Sequence, residues 1–536
     1  MANNIFDFWS FTDTPREVQT IALYWLEQNI VKNTSKKYFF IEAGVGSGKS
    51  NMAITIGQYL NKLYKLNSCI LTPQKVLQRQ YETTGHIENL PLASMYGRKN
   101  YSCHKGTNCE IGAGFGKKCA NCPYDKAREK ALNRALAVMN YDLYLSMREY
   151  SEHFQDVQFS SIICDEAHRL ESFLTEFNAL EWTKDKCYYY EIDYDICRNF
   201  GEVHTYLKKT AIPLLEEYLE FMEREYPFIN NDKSDLTTAD SKVLEKYALG
   251  MEDIKRMKDL IHYNADDFNF NCCIVTTENG WKIKQLFGAS NFIKYMEPFA
   301  KKFIFLSGTM PDVDSTAIEM GLDLDQVEIL KLPSTFHKSI RPFVYMPVGR
   351  VNANWNNDEA LKQKMLYNVM QILAKHSNQN GIIHTANYQM AKWLVEELDG
   401  VVQHEIYHHN DGDRDGVIES FIVNTHENKV LISPSCTEGL DLKNDLGSFA
   451  IFTKIPFPYL GDEWIKKRTQ ISNEWYEKQA VINIVQGTGR IVRHIDDFGI
   501  TYMLDENYTM LSNNAGWMFP DYWKEAVMKV KCFSEN

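Results

Sequence analysis

The stretch Tyr38–Leu60, YFFIEAGVGSGKSNMAITIGQYL, constrains the chain more than any other. An apolar run suited to a strand, Tyr38–Ile41, leads into the glycine-rich turn Ala43-Gly44-Val45-Gly46-Ser47-Gly48-Lys49-Ser50, and a helical run follows. Strand, glycine-rich loop and helix in that order belong to a parallel α/β sheet and form a P-loop, here with Ala in first position. Glycines let backbone N–H groups curl around phosphates, and the helix N-terminus adds a favourable dipole. In such a loop Lys49 reaches the β- and γ-phosphates and Ser50 ligates Mg²⁺.

A 536-residue chain is too long for one core, which predicts two to four domains. Strand-like runs alternate with helical patterns: KYFFIE, SCILT, SSIICD and KFIFLS before residue 310, then GIIHT, KVLIS, FAIFTK and ITYML after residue 380. That alternation predicts two parallel α/β halves. Two intervals break it. One holds four of the twelve cysteines; the other separates His168 from Ser307 by 139 residues, far beyond an ordinary loop. The second interval contains helical patterns such as AIPLLEEYLEFMEREY and reads as an inserted domain.

Two further motifs suit a nucleotide site. In SSIICDEAH a strand delivers Asp165 and Glu166 to its C-terminal end, where Asp165 holds Mg²⁺ through water and Glu166 orients and deprotonates an attacking water. In QGTGRIVRH, Arg490 and Arg493 are three apart, so on a helix they share a face and both meet a γ-phosphate as arginine fingers.

The cysteines Cys103, Cys109, Cys119 and Cys122 are spaced C-x5-C-x9-C-x2-C in a polar, glycine-rich segment. Four thiolates at that spacing suit zinc or an iron–sulfur cluster, and spacing alone does not choose. The net charge is −13, yet Arg98–Lys130 carries eight Lys/Arg against three Asp/Glu. A basic patch inside an acidic chain leaves nucleic-acid binding open.

Taken together and in order, these motifs resemble the DinG/XPD branch of superfamily 2 helicases. PREVQ (Arg16, Gln19) resembles the adenine-reading Q motif, and ILTPQKVLQRQY resembles the motif that follows the P-loop. Asn140–Tyr141, the DEAH box, LSGTMP (Ser307–Pro311), SCTEGLDL, IPFP and QGTGRIVR then appear in family order. The resemblance implies two RecA-like motor domains with ATP in their cleft, an iron–sulfur insertion and a helical, arch-like insertion. The expected boundaries are 1–95, 140–171 and 286–335 for the first motor, 96–139 for the cluster domain, 172–285 for the arch and 336–536 for the second motor.

The same resemblance assigns Gly44, Gly46, Ser47, Gly48, Lys49, Ser50, Glu438, Gly439 and Asp441 to nucleotide binding, and His168, Gln486, Arg490 and Arg493 to catalysis. It makes Cys103, Cys109, Cys119 and Cys122 ligands of a 4Fe–4S cluster, which holds its segment rigid where strands separate. It implies ATP-dependent unwinding by a monomer on single-stranded and tailed or forked duplex DNA, 5′ to 3′, in DNA repair, with a protein partner for the arch. The alternative is a translocase that strips proteins or RNA–DNA hybrids without processive unwinding.

The expected location is cytoplasmic, beside nucleoid or viral DNA, because no signal peptide or membrane-spanning stretch is recognisable. With the P-loop starting at Ala43, no N-terminal exonuclease domain is expected. DGDRDG from Asp411 opens like a calcium loop but has Ile422 where an acid is required, so it reads as a turn. His404, His408 and His409 read as solvated side chains and Cys272–Cys273 as packing thiols in a strand.

Overall fold

A computed structural model describes residues 4–102, 109, 121–230, 237–410, 412–424, 426–434, 446–489, 491–492 and 494–535. The first part of the chain supplies β1 (Tyr38–Glu42), β2 (Ser68–Thr72), β3 (Leu92–Ser94), β4 (Leu136–Asn140) and β5 (Phe159–Asp165). Then come β6 (Leu180–Thr183), β7 (Cys272–Thr277), β8 (Gly280–Gln285), β9 (Ala300–Ser307) and β10 (Val327–Lys331). The rest of the chain supplies β11 (Phe343–Gly349), β12 (Gly381–His384), β13 (Glu405–His408) and β14 (Lys429–Ser433). It ends with β15 (Phe449–Phe452), β16 (Ile500–Asp505) and β17 (Val527–Lys529).

These strands make two seven-stranded parallel sheets, ordered β10-β1-β9-β5-β2-β4-β3 and β13-β14-β12-β15-β16-β11-β17. All eight strands expected from the sequence are present. Their residues are apolar without alternation because both faces of each sheet are covered by helices; β1, β2 and β5 are buried along their whole length. Two apolar layers sandwich the first sheet, and two more sandwich the second. Sequence reading missed short strands such as β3, β10, β13 and β17, with three to five residues each, and also the interior strands β4 and β11.

Register brings the chemistry to one edge. Glu42 of β1 pairs with Ser307 of β9, and Asp165 of β5 pairs with Leu306. The loops after β1, β5 and β9 therefore open side by side at the carboxyl ends of the strands, where ligands bind in sheets of this kind.

Two expected boundaries move. β4 lies between β2 and β3 in the first sheet, so the boundary at 139/140 falls inside a strand of that half. The boundary at 171/172 cuts the helix Leu170–Glu176, whose Leu170 and Leu174 belong to the core of the first half.

The second insertion is also not all helical. β6, β8 and β7 form a three-stranded antiparallel sheet. It shares an apolar core with the helices Phe200–Tyr206, Ile212–Glu225 and Thr238–Ile261. The missed signal was Asn279-Gly280 between two runs of β-branched and aromatic residues. The three histidines differ too: His404 and His409 are buried, and only His408 is exposed. No described helix is long and apolar enough to cross a membrane.

The insertion also touches the second half. The helix Glu463–Ile471 packs Trp464 against Cys273 and Leu286. Trp464 donates its indole N–H to the Gln285 carbonyl at 2.8 Å, Lys467 Nζ donates to Cys272 O at 2.9 Å, and Thr276 N–H donates to Glu463 Oε2 at 2.7 Å. Arg468, fully buried, donates to Leu286 O at 2.6 Å, to Glu171 Oε1 at 2.7 Å and to Glu319 Oε1 at 2.9 Å. Lys478 completes the cluster on Glu319 Oε2 at 2.9 Å.

Candidate active site

The loop after β1 has a geometry only glycine tolerates at two points. Gly46 and Gly48 have φ of +77° and +76°. A Cβ on Gly46 would lie 2.1 Å from the Phe336 ring, and one on Gly48 would lie 2.1 Å from the Gln19 side-chain nitrogen. The helix Lys49–Tyr64 starts at Gly48 with no side-chain cap, so its first amide N–H groups are open to an anion. Ser47 Oγ is buried and has no hydrogen-bond partner among the described residues. An open helix start with an orphaned hydroxyl beside it fits a phosphate chain.

Arg16 and Gln19 close on the same loop. Gln19 accepts the Arg16 backbone N–H at 2.8 Å and donates to the Gly48 carbonyl at 3.2 Å, while the Arg16 guanidinium donates to the Gly46 carbonyl. Both ends of the Gln19 amide are therefore committed to main chain in this structure.

Lys49 Nζ donates to Ala43 O at 3.3 Å and lies 4.0 Å from Glu166 Oε1. Asp165 is buried at the end of β5; its Oδ1 accepts the Glu166 N–H at 3.0 Å and its Oδ2 accepts the Tyr81 hydroxyl at 2.9 Å. Tyr141, from the Asn140–Tyr141 pair, donates to the Asp165 carbonyl at 2.9 Å. Burial, with Glu166 alongside, pushes the Asp165 carboxyl up to about 6. A cation in this pocket would oppose that shift, and hydroxyl-plus-carboxylate is a donor set that suits magnesium.

His168 continues the line. Its Nδ1 is 3.5 Å from Glu166 Oε2 and 2.8 Å from Ser307 Oγ. Ser307 spends its one O–H on the Thr309 carbonyl at 3.0 Å, and its oxygen accepts the Thr309 N–H at 3.2 Å. It must therefore accept from His168, which fixes the imidazole proton on Nδ1. From Thr309 Oγ1 the path crosses to the second half, where Gln486 Nε2 donates to it at 3.2 Å. Tyr522 reaches back the same way and donates to the Gly308 carbonyl at 2.8 Å. A narrow cleft lies between the halves here, lined by Val45, Gly308, Phe336, Gln486 and Tyr522 among others. Phe336 and Tyr522 had no sequence signal; only the fold brings them to the P-loop.

The shared helical face of Arg490 and Arg493 is not observed. The helix Asn473–Thr488 ends before them, and Ile491 and Val492 are buried in non-helical backbone. Gly487, Gly489 and the β-branched Thr488 explain an early stop. Arg490, Arg493, Glu438, Gly439 and Asp441 themselves lie outside the described residues, as does Asp411.

Of the four cysteines, Cys109 and Cys122 are described and both are buried, with their sulfurs 3.7 Å apart. Cys103 and Cys119 lie outside the described residues. Burial, then Cys122, pushes the Cys109 thiol up to about 11, so a thiolate there needs a bound cation. Facing thiols fit a metal centre. Two thiolates on one tetrahedral ion, each about 2.3 Å from it, would lie roughly 3.8 Å apart.

Residues 12–189 match the family described as "Type III restriction enzyme, res subunit", and residues 369–526 match "Helicase C-terminal domain". The chain is similar to the ATP-dependent DNA helicase YoaA of Haemophilus influenzae, 23% identical over 74% of this chain and 68% of that protein. It is similar to the probable ATP-dependent helicase MJ0942 of Methanocaldococcus jannaschii, 21% identical over 89% of each chain. A solved XPD helicase structure shares the fold at a TM-score of 0.64 and 14% identity, covering 97% of this chain and all of that one.

Proposed function

The chain belongs to the DinG/XPD type of ATP-hydrolysing superfamily 2 helicases, and from that premise we propose that it translocates 5′ to 3′ on single-stranded DNA and opens tailed or forked duplexes. The observation that carries this reading is the line of contacts that starts at Glu166, 3.5 Å from His168 Nδ1, and continues through the hydrogen bonds of His168, Ser307, Thr309 and Gln486 from the P-loop side of the cleft into the second motor. A change at the γ-phosphate can move along that path as a change in how the two motors meet.

In this reading Lys49 and the open amides of the P-loop hold the ATP phosphates, with Ser47, Gly44, Gly46 and Gly48 shaping the cradle. Ser50 and Asp165 would hold Mg²⁺, which supplies positive charge to the β/γ-phosphate oxygens. Glu166 orients the attacking water and takes its proton. Arg16 and Gln19 fix the P-loop on the adenine side. Arg490 and Arg493 bring guanidinium charge from the second motor, and Glu438, Gly439 and Asp441 complete its nucleotide face.

Cys103, Cys109, Cys119 and Cys122 would ligate a 4Fe–4S cluster that stiffens the basic segment where strands part. Zinc is a second reading, favoured by the 3.7 Å sulfur separation. Iron, sulfide and zinc content of anaerobically purified protein separates the two. We further propose a monomer acting in the cytoplasm, with the second insertion as a platform for a protein partner.

The test of function is strand displacement with ATP on duplexes carrying a 5′ or a 3′ tail. Opening only from the 5′ tail is expected, with Glu166→Gln inactive. Opening only from the 3′ tail overturns the polarity. DNA-stimulated ATP hydrolysis without opening either duplex favours the translocase.

A further inference from the structure

Tyr81 has no part in the P-loop or the DEAH box, yet it touches the DEAH box. It lies on the helix Lys75–Ile87, which follows β2. Its ring is buried in an apolar cluster with Ile41, Ile54 and Ile163, at 1% exposure. Its hydroxyl emerges from that cluster and donates to Asp165 Oδ2 at 2.9 Å. A phenol carries one proton, and here it is committed to the carboxylate. The result is a directed string, Tyr81 to Asp165, whose other oxygen accepts the Glu166 N–H.

The helix is held so that this string cannot drift. One turn before Tyr81, Gln78 donates to the carbonyls of Met95 at 2.6 Å and Val138 at 3.2 Å, which ties the helix to β4 and to the residue after β3. The Asp165 carboxylate is pinned from its other side by the Glu166 N–H at 3.0 Å. A buried tyrosine needs some partner for its hydroxyl; here that partner is one of the two groups that would hold magnesium.

We propose that Tyr81 is the positioning residue for the magnesium site, setting the orientation of the Asp165 carboxylate. The inference rests on the ATP-site reading above. Groups that orient metal ligands without touching the ion typically govern affinity by 10- to 100-fold.

The experiment uses full-length Tyr81→Phe, which keeps the ring and removes the hydroxyl, and Mn²⁺ as a paramagnetic probe with a non-hydrolysable ATP analogue. Mn²⁺ affinity measured by electron paramagnetic resonance is expected to fall roughly tenfold. The Mg²⁺ concentration for half-maximal ATP turnover should rise in parallel, while nucleotide binding in EDTA stays unchanged. Unchanged Mn²⁺ affinity and spectrum would overturn the proposal, whatever happens to turnover.

Asp165→Asn separates the two levels. If it binds Mn²⁺ as the wild type does, the ATP-site reading itself fails. Should Tyr81→Phe not fold, 3-fluorotyrosine placed at position 81 of the otherwise unaltered chain gives a second readout. Its fluorine resonance is expected to move when Mg²⁺ is added to the nucleotide-bound protein, and no movement overturns the proposal.

Discussion

Two segments interrupt the first motor sheet, and they are built in opposite ways. The larger one, from Leu180 to Gln285, has a core of its own in which Trp182, Trp281, Leu207, Leu215 and Met257 are buried. Its two indoles are also satisfied: Trp182 donates to Tyr206 at 3.0 Å, and Trp281 to the Asp195 carbonyl at 3.0 Å. The smaller one buries Cys109, Cys122 and Tyr124, and these join the motor's apolar cluster instead of forming a separate one. A segment of that size cannot bury enough apolar surface to stand alone and needs a covalent or metal staple. An insertion large enough to make a core rests on it, whereas the smaller one borrows a wall of the first half.

The sharpest way to break this contrast is Cys109→Ser. Metal–thiolate binding is worth roughly 10–16 kcal/mol in small metal-folded domains, so the variant is expected to lose bound metal and strand displacement together. ATP binding and the near-ultraviolet circular dichroism from Trp182 and Trp281 of the larger insertion should persist. A variant that keeps its metal and still unwinds at the wild-type rate removes the staple from the argument.

The reciprocal change, Trp281→Ala, empties the larger core and should cost about 3–5 kcal/mol. Hydrogen exchange is expected to rise from Leu180 to Gln285 with metal content unaltered. Arg468→Ala leaves Glu171 and Glu319 buried without their shared partner, at a cost of about 3 kcal/mol. Arg468→Met should recover part of that loss in denaturant unfolding, since a charge-free side chain of similar length fills the same space. Smallest is Lys284→Met. Lys284 lies 4.1 Å from the Trp464 ring centroid, and losing that contact should shift the unfolding midpoint by only about 0.5–1 kcal/mol.

What the sequence disclosed follows from how locally each feature is encoded. The P-loop, the DEAH strand and eight apolar strands are readable because one short run carries each of them, and register then aligns Glu42, Asp165 and Ser307 without further information. β3 and β17 have three residues each, too few to establish a period. Tyr81, Phe336 and Tyr522 reach the site by tertiary packing from positions more than thirty residues after the P-loop, and no local pattern encodes such a meeting. Arg490 and Arg493 were legible as charges, and both lie outside the described residues. The i, i+3 rule presumes a helix, and a Gly-Thr-Gly run ends this one.

The contact between the larger insertion and the helix Glu463–Ile471 has an evolutionary consequence. Four of its hydrogen bonds run from helix side chains to main-chain atoms of Cys272, Thr276, Gln285 and Leu286. A docking edge addressed largely through its backbone constrains few of its side chains, here Cys273, Lys284 and Leu286 against Trp464. Among descendants of such a chain the rest of the hairpin is free to diverge while Glu463, Trp464, Lys467 and Arg468 are retained. A foreign antiparallel hairpin grafted in the same register would inherit the berth.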